Sequence, residues 1–139
     1  MSQRKTSANN PADWVLFADA ELAALRLLCA NRTAFFMCSS KCAEVLKKLM
    51  KAELIHLGWP LVKTHDLQHL ADELKKRDSV NLGIVQQLAE EIAEYYVVGR
   101  YPGFDLDETE DWTALLAQID KLGDYESAVK SATSGKAGT

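Results

Sequence analysis

Apolar residues recur along this chain at spacings of three and four, which is the period of an amphipathic helix. Five segments show this pattern, and no stretch of four to eight residues alternates convincingly between apolar and polar as a half-buried strand would. The connections between the segments are short. The pattern therefore predicts an all-α fold, an up-and-down bundle of about five helices over residues 10–126, with flexible termini at 1–9 and 127–139.

Local signals predict where these helices begin and end. Asn10 is expected to cap the first helix, because a side-chain oxygen at that position accepts a backbone N–H that lacks a partner. Gly58 predicts a left-handed end to the second helix, and Pro102 stops the fourth. Thr64 is expected to cap the third helix, and the stretch from Asp107 to Glu110 to cap the fifth.

The second predicted helix, over residues 33–57, is about 25 residues long, which is more than most globular helices reach. Its length suggests that it is the spine of the bundle. Four lysines fall mostly off its apolar stripe and are expected at the surface. They are Lys41, Lys47, Lys48 and Lys51.

Composition narrows the class of protein. A chain of 139 residues fits one domain, and 47% hydrophobic with 26% charged residues is typical of a soluble globular protein. No apolar run approaches the ~20 residues needed to span a bilayer. The first residues also lack the apolar core of a secretory signal. A cytoplasmic location is therefore expected.

The cysteines and histidines offer little support for a metal site. Cys29, Cys38 and Cys42 fall on apolar helical positions and are expected to be reduced, buried thiols. Cys38 and Cys42 are four residues apart, as are His65 and His69, so either pair could share a metal ion. Further ligands at a suitable spacing are lacking, and neither a metal nor another cofactor is expected.

Charge is distributed unevenly along the chain. The net charge is −4, which argues against broad, non-specific binding to nucleic acid. Residues 41–77 carry eight Lys and Arg against five Asp and Glu, whereas residues 78–126 carry two against twelve. A charge run is usually a solvated face, but this asymmetry permits a local basic patch in the middle of the chain.

The first candidate for chemistry is the segment around His65. At the first turn of a helix the dipole disfavours the protonated imidazole, and a neutral His65 beside Asp66 could exchange a proton near neutral pH. The alternative is that Thr64 and Asp66 only cap the helix while His65 packs.

The second candidate is the segment Arg100-Tyr101-Pro102. An arginine beyond a helix end, flanked by tyrosines, can bind a phosphate bidentately or stack on a base. It can equally pair with Asp105 or Asp107. Lysines of the second helix, such as Lys48, could complete an anion site.

Taken in order, four motifs resemble the HEPN domain family of small helical nucleotide-binding proteins. The resemblance covers roughly residues 14–125 and rests on Trp14 with its Leu/Ala stripe, the segment Cys42–Lys48, the segment Thr64–Leu67, and Arg100-Tyr101-Pro102. It implies a helical bundle that binds a nucleotide or RNA-derived ligand. It further implies a homodimer that partners a minimal nucleotidyltransferase in a two-component, toxin–antitoxin-like module. The candidate nucleotide-binding residues are then Lys48, His65, Asp66, Arg100 and Tyr101.

The sequence departs from the family at its ribonuclease signature, an arginine followed by a histidine after four to six residues. Residues 105–107, where that histidine would follow Arg100, are Asp, Leu and Asp. No catalytic residue is therefore assigned with assurance. One alternative is a metal-independent ribonuclease that uses Arg100 and His65 at a variant site. Another is a purely structural module whose acidic last third docks a basic protein.

Overall fold

Five α-helices account for most of the molecule. This computed structural model describes residues 4–60, 64, 66–98, 102–103 and 109–134. The helices are α1 (Pro11–Ala30), α2 (Phe35–His56), α3 (Leu67–Lys76), α4 (Leu82–Val98) and α5 (Trp112–Thr133). No strand occurs within the described ranges. The prediction of an all-α bundle of about five helices is confirmed.

Helix α2 lies at the centre of the bundle and packs against all four other helices. Fifteen of its 22 residues are buried, which is far more than one apolar stripe supplies. The prediction that α2 is the spine is confirmed. The expected exposure of its lysines is wrong for Lys47 and Lys51, which are 8% and 6% exposed. Because neighbours surround α2, residues off its apolar stripe are enclosed as well.

Three helices end in the same left-handed turn. The residues that adopt a positive φ are Arg32 after α1 (47°), Gly58 after α2 (92°) and Asp78 after α3 (54°). After α2, the N–H of Trp59 donates to the carbonyl of Leu54 at 2.9 Å, so this end is a Schellman motif. The prediction from Gly58 is confirmed. The sequence did not predict a left-handed turn at Arg32 or Asp78, because residues with a Cβ rarely adopt this conformation.

The helix starts follow the sequence only in part. Asn10 caps α1 as predicted, accepting the N–H of Ala12 at 3.1 Å. The prediction that Thr64 caps α3 is wrong. Asp66 is the cap, and its carboxylate accepts the N–H groups of the second and third helical residues. Thr64 instead accepts the N–H of Asp66 at 3.2 Å, so it orients the capping residue.

The fifth helix begins later and ends later than predicted. Its cap is Asp111, which accepts the N–H of Ala114 at 2.9 Å. The cap predicted between Asp107 and Glu110 is therefore wrong, and Asp107 itself lies outside the described residues. The helix continues to Thr133 with Val129 fully buried, so the domain boundary predicted at 126 falls inside α5.

The three cysteines are free and buried, as predicted. Burial raises the pKa of the Cys38 and Cys42 thiols to about 12. Burial also raises the pKa of Cys29. Because the thiolate is the reactive form, these residues are structural and unsuited to nucleophilic chemistry.

A buried carboxylate ties three parts of the bundle together. Glu53 of α2 is 5% exposed and accepts three hydrogen bonds. Its donors are the Tyr125 hydroxyl of α5 at 2.6 Å, the Ser79 hydroxyl at 2.6 Å and the Asn81 amide at 3.1 Å. Ser79 and Asn81 belong to the α3–α4 connection. Burial and the neighbouring Glu53 charge hold the pKa of Tyr125 well above its ordinary value, so the hydroxyl stays a donor.

The capping role of Asp66 can be tested by stability. Asp66→Ala leaves two helix N–H groups of α3 without their acceptor, and we expect a loss of about 1 kcal/mol in the free energy of unfolding. Asp66→Asn keeps an acceptor oxygen and should lose only a fraction of this. Urea denaturation followed by circular dichroism measures both variants. A Thr64→Ala variant that lost more stability than Asp66→Ala would contradict this assignment.

Removing a hydrogen bond from the buried Glu53 carboxylate should lower the free energy of unfolding more than removing the Asp66 cap does. Tyr125→Phe keeps the ring but removes one donor from a buried carboxylate, and we expect a loss of about 1.5–3 kcal/mol in the free energy of unfolding. The same denaturation experiment measures it, with Ser127→Ala at an exposed site of α5 as the control. A Tyr125→Phe variant as stable as the control would mean that this hydrogen bond contributes nothing.

Candidate functional site

The structure describes two of the five predicted nucleotide-binding residues. Lys48 lies in the middle of α2, and Asp66 is exposed at the start of α3. The other three, His65, Arg100 and Tyr101, lie outside the described residues. Because the Asp66 carboxylate already accepts two N–H groups of its own helix, its observed role is structural. The site is therefore built outward from Lys48.

Four lysines of α2 share one side of that helix, which we call the lysine face. Spacings of three, four and seven residues bring side chains to the same side of a helix. The lysine face consists of Lys41, Lys47, Lys48 and Lys51. Its most accessible members are Lys41 and Lys48, whose side chains are 41% and 22% exposed. A ligand would therefore approach through these two residues.

Two carboxylates partly neutralise the lysine face. Glu21 of α1 lies between Lys41 and Lys48, with its oxygens 3.0 and 2.5 Å from their ammonium groups. Glu44 lies 2.9 Å from Lys47. Four ammonium groups thus share two carboxylates among the described ion pairs. Counting only these described residues, four lysines less two carboxylates leave a charge of +2, although the whole chain is acidic.

Lys51 is the member of the lysine face that has no described ion pair. Within the described part of the chain, no carboxylate lies within ion-pair distance of its ammonium group, which lies 5.3 Å from the centre of the Trp14 ring. Burial lowers the pKa of Lys51, and the charges of Lys47 and Lys48 lower it further, against the opposite effect of Glu44. An arriving anion would therefore stabilise the charged form of Lys51.

Trp14 also lines a small cavity at the start of α1. The other residues around this cavity are Thr6, Ser7, Ala8, Asp13 and Phe17. The Trp14 indole N–H donates to the carbonyl of Ala8 at 2.8 Å, which fixes the ring, and Phe17 is 48% exposed. An aromatic ring beside an ammonium group can stack on a nucleobase while the ammonium group attracts the phosphate.

The acidic member of this cavity wall is already paired. Arg4 forms an ion pair with the Asp13 carboxylate, which also accepts the N–H of Ser7 at 2.8 Å. The Arg4 guanidinium and the Ser7 amide hold the pKa of Asp13 below its ordinary value. Because these groups use its negative charge, Asp13 repels an anionic ligand little.

Sequence reasoning identified the lysines as possible anion ligands but did not join them to Trp14 or Glu21. Lys51 follows Trp14 by 37 residues, and Lys48 follows Glu21 by 27, so no local spacing links them. The packing of α1 on α2 creates both contacts. A helical face with four lysines and one glutamate is the only signal that the sequence carried.

Two absences hold for the described residues. No group of three or more His, Cys, Asp or Glu side chains there is arranged to hold a metal ion. None of the helices, over the same residues, combines the length and apolar character that crossing a bilayer requires.

Comparison with known proteins gives the family. The chain matches no curated protein and no solved structure. A family model described as the HEPN domain matches residues 12–133, which include all five helices. The match extends beyond the four motifs on which the resemblance rests. This chain therefore belongs to the HEPN domain family.

Proposed function

We propose that this HEPN domain binds a nucleotide or an RNA-derived ligand at the lysine face of α2. The observation that carries the proposal is Lys51, a buried residue whose ammonium group has no carboxylate partner among the described residues and an aromatic ring beside it. A phosphate oxygen would supply the missing negative charge. The Trp14 cavity would receive the base.

The ligand would not need to break the existing ion pairs. Glu21 holds Lys41 and Lys48 side by side, and both keep exposed surface for a phosphate. A lysine acts on phosphate as a point charge and needs no fixed geometry. Arg100 and Tyr101, just before Pro102, and His65, just before Asp66, are proposed to complete the site from neighbouring segments.

Binding without cleavage is the activity that the residues support best. The arginine-to-histidine spacing of the family's ribonucleases is absent after Arg100. Lysines hold a phosphate by charge and tryptophan stacks on a base, and both of these are binding roles. The proposal also includes a homodimer that partners a minimal nucleotidyltransferase in a two-component, toxin–antitoxin-like module, as family membership suggests.

Lys51 provides the direct test of the ligand site. Lys51→Met keeps the aliphatic stem and removes the charge, and we expect an affinity for ATP or a short single-stranded RNA about tenfold weaker. Fluorescence anisotropy measures the dissociation constant, and thermal shift gives a second reading. The control is Lys76→Met, an exposed lysine of α3, which should bind as the parent does.

Two results would contradict this site. One is equal affinity of the Lys51→Met and Lys76→Met variants. The other is a parent protein that neither binds these ligands nor gains thermal stability from them. A Lys51→Met variant with an unchanged melting temperature and weaker binding would support the site, because the charge would then act on the ligand and not on the fold.

Ribonuclease activity is tested separately. We expect no RNA cleavage by the purified chain when the products are separated on a denaturing gel. The Arg100→Ala and His65→Ala variants are assayed in parallel. Cleavage by the parent that both substitutions abolish would establish the ribonuclease alternative. The nucleotidyltransferase pairing gains support if the neighbouring gene encodes such an enzyme and the two proteins copurify, and it fails if they do not associate.

A further inference from the structure

Helix α1 is apolar on two opposite sides. Its inner side is buried in the bundle and consists of Val15, Ala18, Leu22, Leu25 and Cys29. The side about 180° away, at 100° per residue, includes one charged residue, Asp13, which is buried and paired with Arg4, and is otherwise apolar. This outer face consists of Ala12, Leu16, Ala20, Ala23, Ala24, Leu27 and Ala30, all of them exposed. A surface helix usually has one apolar stripe, which faces the core, with polar residues opposite, so a second apolar side is unusual.

The outer face forms one exposed apolar strip. Leu16 and Leu27 are 51% and 67% exposed. From Ala12 to Ala30 the strip is about 27 Å long and about 10 Å wide, close to the size of the largest apolar patch that a typical monomer exposes, and such a patch is often a binding surface.

The spacing of the outer face reads the same in both directions. Leucine, alanine, alanine and leucine follow one another at intervals of four, three and four residues, at positions 16, 20, 23 and 27. A two-fold axis that passes α1 between residues 21 and 22 would place each leucine against the other leucine of a second copy. It would likewise place each central alanine against the other. An interface between identical chains needs this self-complementarity.

The charged residues beside the outer face fit the same axis. Asp19 and Arg26 lie on the side of α1 toward α5, where Asp19 approaches Lys130 at 3.5 Å and Arg26 lies against Gly123. A two-fold axis perpendicular to both helices brings the side of one α1 that lies toward α5 against the same side of the other α1. In this register Asp19 of one copy and Arg26 of the other differ by about 3 Å along the helix. Opposite charges would thus face each other twice across the axis, beside the contacts that Asp19 makes with Lys130 and Glu126 of its own copy.

On the opposite edge of the outer face, a large side chain of one copy would face a small side chain of the other. Phe17 and Ala24 lie there, and Phe17 is 48% exposed. The same register puts the ring of Phe17 beside Ala24 of the second copy, so a large side chain meets a small one. The alanines at the centre let the two helices approach closely, while the leucines fill the space at the ends.

We propose that two copies of this chain pair through the outer face of α1, with the two α1 helices antiparallel and crossing near residues 21 and 22. This inference rests on the homodimer in the proposed function and assigns its interface. A single-helix contact of this size is small, so we expect a dissociation constant in the micromolar range.

The first experiment changes the centre of the face. Ala23→Glu would place two carboxylates next to each other across the axis, and we expect the dissociation constant of the dimer to rise about 100-fold or more. Sedimentation equilibrium over a range of concentrations measures it. The control is Ala117→Glu, the same substitution at an exposed alanine of α5. Circular dichroism and the melting temperature establish that both variants fold.

The second experiment tests the antiparallel register. Leu16→Cys and Leu27→Cys variants are oxidised separately and as a mixture. In the proposed dimer, residue 16 of one copy adjoins residue 27 of the other, whereas the two residues 16 lie about 16 Å apart along the helices. A disulfide dimer is therefore expected only in the mixture. The parent chain is the oxidation control, since its three cysteines are buried.

The possible results separate the two proposals. A dimeric parent that Ala23→Glu dissociates, with crosslinking only in the mixture, supports the interface. A dimeric parent that both glutamate variants leave unchanged overturns this interface but leaves the homodimer. A parent that stays monomeric at all concentrations overturns both and leaves the outer face to a different protein. Ligand binding through Lys51 is measured independently in each case.

Discussion

The enclosure of α2 by the four other helices is the constraint on which the rest of the structure depends. A helix packed on every side must satisfy its polar side chains inside the protein, because an unpaired buried carboxylate or ammonium group is costly. Glu53 meets this requirement with three hydrogen bonds from two other parts of the bundle. The core is therefore fixed in register by polar contacts as well as by packing, since a shift of α5 would remove Tyr125 from its acceptor.

The same enclosure produces the candidate site. On the side of α2 toward α1, ion pairs compensate part of the lysine charge, and Lys51 is left beside the Trp14 ring. Glu53 at one end of α2 is thus satisfied by protein groups, whereas Lys51 has no carboxylate partner in the part of the chain that the structure describes. That difference distinguishes a structural buried charge from one that can accept a ligand. It explains how an acidic chain can hold a local site for a phosphate.

Helix α1 connects the proposed ligand site with the proposed dimer interface. Trp14 and Glu21 project from it toward the lysine face, while Leu16, Ala20, Ala23 and Leu27 lie exposed on the outer face. Pairing of two copies would stiffen the helix that positions Glu21 and Trp14. A ligand at the lysine face would in turn stabilise α1 against α2.

The sequence by itself determined the number of helices, the Asn10 cap, the end of α2 at Gly58 and the family, because these depend on spacing within a few residues or on motifs in order. The tertiary structure alone decided that Lys47 and Lys51 are buried. It also decided that Glu53 meets Tyr125, 72 residues further along the chain. The physical reason is that helical periodicity is local. Whether a side chain off the apolar stripe is exposed depends on which distant helix packs over it.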